Sequence, residues 1–327
     1  MPLFKKFAVC VSRVFAVSVA GLSLAGLALG CAGEVVGERD ADISSTHPLL
    51  LIEQMSDPTS DHAVRSHVSV SFLRLADERD LGSAIDMVSP RVALPPVGTC
   101  TTVTAQREQL APAVLSRVEL AFAGDVGLHT RGTVTPLSAR FFPNVADLVA
   151  GVTYTLRDKN DLTGFLDGTV TISTSGSAEL EALRTTVPVP SMPAAVTVQG
   201  IDFTANSDPL PRHLPLVLAW QPGTDLDSIY VDLDFVPLNH RGDQAGSLTK
   251  VRCAFVDHGI ATIPYEVVEA KDEVAITLHR IRDVVVGANS AGHGMAHFDL
   301  SVTGRAQFAN HAAQSGAFTS MPADAPP

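Results

Sequence analysis

Basic and aromatic residues are scarce in this chain of 327 residues. Lys and Arg number 23, five of them Lys, against 35 Asp and Glu, giving a formal charge of −12. That is the wrong sign for neutralising phosphates, which argues against nucleic acid as a partner. Aromatics make up 6%, with one Trp. Trp220 alternates with Leu216 and Leu218, which marks it as core rather than as a sugar-stacking platform. Charged residues total 18% and hydrophobic residues 46%, a balance that wholesale disorder does not have. Heptads and repeats of about 20–50 residues are missing, which sets aside coiled coils and solenoids.

Catalytic motifs are also missing. The chain has no His-Glu-x-x-His and no Gly-x-Ser-x-Gly; Gly287 to Gly292 comes nearest, with one residue too many before Ser290. No Walker loop occurs, and no Gly-x-Gly-x-x-Gly follows a strand and opens a helix. A non-catalytic protein without a cofactor is therefore expected. His293 and His297 flank Gly294-Met295-Ala296, and Asp299 shares a strand face with His297, so these three are weak metal candidates. A Gly-rich loop with surface histidines is the preferred reading, and no metal is expected. Asp158, Asn160, Asp161 and Asp167 lack the Gly and terminal Glu of an EF-hand loop and read as a turn. Asp232 and Asp234 read as a wet sheet face.

The N-terminus carries an address. Lys5, Lys6 and Arg13 are the only charges before Cys31, and Val14 to Leu29 is an apolar run, the pattern of a secretory signal peptide over 1–30. The run ends Gly26-Leu27-Ala28-Leu29-Gly30-Cys31, which resembles the lipobox of bacterial lipoproteins. The resemblance implies a diacylglycerol thioether on Cys31, cleavage after Gly30 and acylation of the new amine. Two or more acyl chains anchor firmly, at about 0.8 kcal/mol per buried CH₂. Ala32 in place of Asp implies the outer membrane, facing the periplasm or the cell surface. An uncleaved membrane helix or an ordinary cleaved signal is the alternative. Removing residues 1–31 leaves 20 basic and 35 acidic residues, a net charge of −15.

From His62 onward the period is two, not 3.6, so the expected fold class is all-β: two antiparallel β-sandwich domains in tandem. Residues 31–61 read as the lipidated Cys and a polar tether, in which Leu49 to Ile52 is the one apolar island and an alternative short edge strand. Alternation in Val68-Val70-Phe72, Val118-Leu120-Phe122, Val152–Leu156 and Thr169–Thr174 places an N-terminal sandwich at 62–186, with a short helical turn around Ala146 to Ala150. Pro188, Pro190 and Pro193 cannot donate to a ladder and mark a linker over 187–194. A C-terminal sandwich follows at 195–311, with strands Leu214–Trp220, Ile229–Phe235, Val251–Phe255, Val274–Leu278 and Phe298–Val302, a tight turn at Asp257-His258-Gly259 and a helical turn from Tyr265. Residues 312–327 read as a mobile tail.

Leu218-Ala219-Trp220, Ile229 to Leu233, Val251 to Gly259, Thr262-Ile263-Pro264 and Leu278-His279-Arg280 resemble an immunoglobulin-like or fibronectin-III-like module common in uncharacterised bacterial lipoproteins. The resemblance covers about a third of the chain, implies a fold and carries no assigned activity. The Cys…Trp…Cys order of true immunoglobulin domains is absent, since Trp220 precedes Cys253 alone. After processing, only Cys100 and Cys253 remain. A bond across the domains is open to them, but Cys253 alternates with Val251 and Phe255 on a core face, and two free, buried thiols are the preferred reading.

The expected function is a membrane-anchored, extracytoplasmic binding or adhesive module for a protein or glycan partner. A structural or assembly subunit of an envelope complex is the alternative, and an extracytoplasmic hydrolase ranks third. Binding residues are expected on polar loops between strong strands: Asn239, His240, Arg241 and Asp243 in one, Asn289 and His293 in the other. Arg241-Gly242-Asp243 resembles the integrin-recognition tripeptide, a match short enough to arise by chance.

Overall fold

Alternation along Ser228–Phe235 puts Ile229, Val231, Leu233 and Phe235 on one side of a strand, all buried at 2% exposure or less. The same rule builds the rest of the molecule. In this computed structural model the described residues are 45–57, 64–75, 80–89, 91–103, 118–145, 149–157, 166–203, 209–211, 213–235, 249–268, 273–287 and 293–309. In chain order they form β1 (Thr46–Ser56), β2 (Val64–Arg74), α1 (Leu81–Val88), β3 (Cys100–Val103), β4 (Val118–Leu120), β5 (Val126–Thr130), β6 (Thr133–Pro136), β7 (Ser138–Val145) and β8 (Val149–Arg157). Then come β9 (Thr169–Thr174), β10 (Arg184–Pro188), β11 (Thr197–Val198), β12 (Ile201–Asp202), β13 (Leu216–Ala219), β14 (Ser228–Phe235), β15 (Thr249–Val256), β16 (Ile260–Ile263), β17 (Glu273–Val286) and β18 (Gly294–Gln307).

Ten of these strands make one sheet, in the order β3-β15-β14-β17-β18-β1-β2-β4-β8-β7. Two four-stranded sheets, β10-β9-β5-β6 and β12-β11-β13-β16, complete two separate cores with it. The first core joins Ile52, Val68, Phe72, Tyr154 and Phe298 of the large sheet to Val126, Leu128, Val170 and Ile172 of one small sheet. The second joins Ile229, Val231, Ile276 and Leu278 to Leu216, Leu218, Ala261 and Ile263 of the other. The molecule is thus two sandwiches that share one layer.

Sharing is possible because β17 and β18 are 14 residues long and run past both cores. Along one face of β17, Ile276 and Leu278 belong to the second core and Val286 to the first, with Arg280 and Arg282 between them. The partition into 62–186 and 195–311 therefore does not match the cores, because C-terminal Val286, Ala296, Phe298 and Leu300 build the N-terminal one.

Two further expectations change. Residues 46–56, read as part of the tether, are a central strand, parallel to β18 and antiparallel to β2, with Leu50 and Ile52 in the core. The apolar island is the visible part of an 11-residue strand whose flanking His47 and Gln54 are also buried. The sheets are not antiparallel throughout, since β4 also runs parallel to β8. Val149 and Ala150 begin β8 rather than a helical turn, and 146–148 lie outside the described residues. The helix α1 was not anticipated; its Ala84 and Ile85 pack with Leu49, Leu73 and Leu75 on the other face of the large sheet.

Tyr265–Val267 forms the expected turn, of 3-10 type, and Gly259 closes the expected tight turn at φ 82°, a left-handed conformation that favours glycine. A Cβ there would also lie 2.9 Å from the Trp220 carbonyl oxygen, which accepts no such approach.

Candidate functional site

The two faces of the β14–β17 region both carry charge, and both bury it. On the inner face, at the seam between the cores, the Arg280 side chain is 1% exposed and its Nε donates to Asp257 Oδ2 at 2.7 Å. Its Nη1 donates to the Ser191 carbonyl at 2.8 Å and Ser191 Oγ at 2.9 Å, and its Nη2 to the Gln221 carbonyl at 2.7 Å. Asp257 also accepts from Trp220 Nε1 at 2.6 Å and from the Gly223 amide at 3.0 Å. Beside it Arg282 forks onto both oxygens of Asp227 at 2.6 and 2.7 Å. Burial opposes ionisation of Asp227, but Arg282 and the Thr224 amide outweigh it and hold the carboxyl below its usual range. One guanidinium thus ties the Pro-rich connector to the sheet, and four residues of the quoted fold pattern, Trp220, Asp257, Gly259 and Arg280, meet there.

On the outer face a polar band crosses six strands. His67 on β2 donates through Nδ1 to Glu53 on β1 at 2.9 Å, and Glu53 pairs in register with Asp299 on β18. Asp299 accepts from His279 Nδ1 at 2.8 Å and from the Tyr230 hydroxyl at 2.6 Å. The Tyr230 ring stacks on His279 with centroids 4.1 Å apart, and the Arg252 guanidinium carbon lies 5.0 Å from the Tyr230 centroid. Arg252 on β15 forks onto Asp232 at 2.7 and 2.8 Å, and Lys250 reaches the same carboxylate at 2.8 Å.

Burial pushes the Tyr230 hydroxyl up, and the adjacent Asp299 charge adds to the effect. Burial also disfavours charge on Asp299 and Asp232. The hydrogen bonds from His279 to the first, and from Arg252 and Lys250 to the second, outweigh it and hold both carboxyls below their usual range. Asp232, read as part of a wet face, is 2% exposed. Arg252 and Lys250 occupy its oxygens, and a strap passes nearby: Arg91 lies 4.0 Å from Asp283 on β17, Ala93 accepts from Arg252, and the Gly98 amide donates to the Ala254 carbonyl on β15, so residues 91–99 run between the strands on either side of β14, which carries Tyr230 and Asp232.

Beside the band, a groove of about 270 Å³ is lined by Glu53, Arg65, His67, His279, Asp299 and Ser301, among others. Four of these side chains are already paired, His67 with Glu53 and His279 with Asp299. His279 has carboxylates at both ring nitrogens, with Asp232 4.0 Å from Nε2. Of its two serines, Ser301 donates through Oγ to the Gln54 carbonyl and Ser66 Oγ accepts from Gln54 Nε2 at 2.8 Å. Elsewhere His47 Nδ1 donates to the His293 carbonyl and its Nε2 faces Ser45 Oγ, each at 2.7 Å; Ser173 Oγ lies 2.6 Å from His129 Nε2.

The weak metal candidates separate. His293 offers its carbonyl to His47, His297 Nδ1 donates to Asp283 at 2.6 Å, and Asp299 serves Tyr230 and His279. Asp167 is hydrogen-bonded to Arg131 Nε at 2.6 Å, while Asp158, Asn160 and Asp161 lie outside the described residues. So do Asn239, His240, Arg241, Asp243 and Asn289, and Cys31 with the whole segment before Ser45. The strands that bracket the two loops are described. Loop 236–248 joins Phe235 to Thr249, and Phe235 pairs with Val274 near the start of β17; loop 288–292 follows the end of β17. The two loops leave opposite ends of a strand about 40 Å long.

Cys100 and Cys253 are bonded, not free. They face each other in register on β3 and β15, Cα atoms 4.0 Å apart, and the neighbouring Ala254 carries the backbone hydrogen bonds, donating its amide to the Thr99 carbonyl and accepting at its carbonyl from the Gly98 amide. The cysteines thus occupy a non-hydrogen-bonded site, where antiparallel chains approach most closely. Core alternation was correctly read for Cys253, which is fully buried. Cys100 gave no such signal, being set in Thr99-Cys100-Thr101-Thr102.

No protein-family model matches this chain, and no curated protein matches it. Among solved structures it is similar to the full Ig1–Ig3 ectodomain of mouse nectin-like molecule 4, at 13% identity over 79% of this chain and 65% of that one, with a TM-score of 0.18. It is also similar to the FN1–FN3 domains of chicken CNTN1, at 9% identity over 79% of this chain and 68% of that one, again with a TM-score of 0.18. This chain therefore spans just under two thirds of the nectin-like ectodomain. Scores this low do not describe a shared topology, so the strand order and the two cores carry the fold.

Proposed function

We propose that the chain is an extracytoplasmic lipoprotein, acylated on Cys31 and held at the outer membrane, that binds a protein or glycan partner through the β14–β15 connection containing Asn239, His240, Arg241 and Asp243. The observation that carries this reading is the direction of β1. Because β1 runs parallel to β18, with Leu49 opposite Met295, its first residue lies at the Gly294 end of the sheet. The described body begins at that end, and β14 and β15 are joined at the far one, which is the reason for preferring that connection as the partner-facing one. The Cys100–Cys253 bond suits an oxidising compartment.

Two measurements test the reading. Cys31→Ser should abolish lipid labelling and detergent partitioning while the fold persists; unchanged partitioning would sink the anchor. Ala substitutions at Asn239, His240, Arg241 and Asp243 in a soluble 32–327 fragment should abolish capture of envelope protein or glycan. Substitutions at Asn289 and His293 should leave capture intact, and the reverse pattern would refute the assignment.

A second reading, an assembly subunit that accepts a partner strand, draws on β7. That strand is an edge of the ten-stranded sheet, and its Phe141 is 73% exposed.

A further inference from the structure

We infer that the Cys100–Cys253 disulfide is a latch: it holds the strap 91–103 across the outer face, and its reduction releases the strap, with its contact to Arg252 of the polar band, while both cores stay folded. The inference rests on the described strap and band and is independent of the anchor and of the proposed binding loop.

Among the described residues the strap's other holds are few. Eight of the nine residues 91–99 are exposed; Val97 is 66% exposed, while Val92 and Leu94, at 36% and 37%, bury part of their side chains, and Cys100 itself packs against the second core. β3 pairs with a single neighbour over four residues, and Thr101 and Thr102 are exposed. The remaining side-chain ties are Arg91 with Asp86 and Asp283, about two-fifths to one-half exposed, and a 3.4 Å hydrogen bond from Arg252 to the Ala93 carbonyl. Surface ion pairs of that kind contribute little. Segments with few buried contacts and a short, exposed ladder are the ones that open first.

The band itself is held independently. Tyr230, Asp232, His279, Asp299 and Arg252 are fixed by bonds to one another and by strands β14, β17 and β18, whose inner faces pack in the two cores. Releasing the strap frees Arg252, which lies against the Tyr230 ring, of its Ala93 contact and leaves the outer edge of β15 unpaired.

The chemistry balances with a dithiol as reductant. Its thiolate attacks Sγ of Cys100, the half-buried sulfur, since Cys253 is fully buried. Cys253 leaves as a thiolate and takes up a proton. The second thiol of the reductant then closes its own disulfide, releasing Cys100 as a thiol; two electrons pass from reductant to protein.

Hydrogen exchange on the full-length protein, with and without dithiothreitol, tests this. After reduction, peptides covering 91–103 should lose amide protection by about tenfold or more, while 229–233 and 276–280 keep theirs. Trypsin should then cut after Arg91. Cys100→Ser, which leaves the buried Cys253 in place, should reproduce the pattern without reductant. The inference is overturned if 91–103 stays protected in the reduced protein and in the variant, if all peptides lose protection together, or if the bond in the folded protein resists dithiothreitol.

Discussion

The inner and outer faces of β14 and β17 solve the same problem with different reserves. On the inner face Arg280 is sealed between two apolar cores, and each of its donors has a fixed acceptor. On the outer face the charges form a chain whose inner members, Asp232, Arg252, His279 and Asp299, each have more than one partner, while His67 and Glu53 at one end have each other; side-chain exposure is 3% for Asp232, 16% for His279 and 52% for Glu53. A sealed pair fails as a unit when one partner is removed, because the survivor stays buried and uncompensated. A chain with wet ends can re-solvate.

The sharpest test of that contrast is Arg280→Met. It leaves Asp257 buried with only the Trp220 and Gly223 donors, and should cost about 3–5 kcal/mol of unfolding free energy in a denaturant titration. Adding Asp257→Asn to the same chain should recover part of that loss, since the amide oxygen still accepts from Trp220 and no buried charge remains. A double variant no better than the single would show that the connector contacts to Ser191 and Gln221, rather than the charge, hold the seam.

Much of this was legible in the sequence. Val274, Ile276, Leu278, Arg280 and Arg282 alternate without a break, so the strand period alone places two arginines on a core-facing row, a signal that asks for buried acceptors. What period-two reading cannot supply is the partner. Asp257 and Ser191 come from a turn and a connector, 23 and 89 residues away in the chain. Asp232 was misplaced for the same reason, because alternation assigns a face but not the partners on it, and Arg252 and Lys250, which occupy its oxygens, come from β15. The disulfide joins residues separated by 153 positions. The helix α1 escaped notice because it has only eight residues, with Gly82 and Ser83 in its first turn and no side-chain cap from Asp80.

Acid should weaken the outer chain through its two buried carboxylates, Asp232 and Asp299. Asp232 and Asp299 ionise more readily in the fold than in the unfolded chain. Their stabilisation is therefore complete above the unfolded carboxyl value, about 3.9, and is lost as pH falls through their depressed folded values. Denaturant midpoints should stay flat from these groups between about pH 5 and 7 and decline below about pH 4. Asp299→Asn should flatten that decline; an unchanged slope would place the acid sensitivity elsewhere.

Tyr230→Phe should have a smaller effect. It deletes the 2.6 Å donation to Asp299 while keeping the ring stacked on His279 and beneath Arg252. Asp299 retains His279, so the expected cost is about 1–2 kcal/mol. A loss above about 3 kcal/mol would mean that the band behaves like the sealed seam.

The smallest effect belongs to the wet end of the chain. His67 and Glu53 meet at 2.9 Å with side chains 31% and 52% exposed, and neither anchors a core residue. Water can replace either partner, and an exposed pair must also hold two side chains in one geometry. Glu53→Gln should therefore shift stability by no more than about 0.5 kcal/mol. The same substitution lies directly opposite Asp299 in register, on the wall of the groove. If the band re-solvates from its ends, the exchange rate of the His279 and Asp299 amides should be unchanged in this variant. A large rise there would show that Glu53 supports the buried members through the adjoining carboxylate, and that the outer face is as unitary as the inner one.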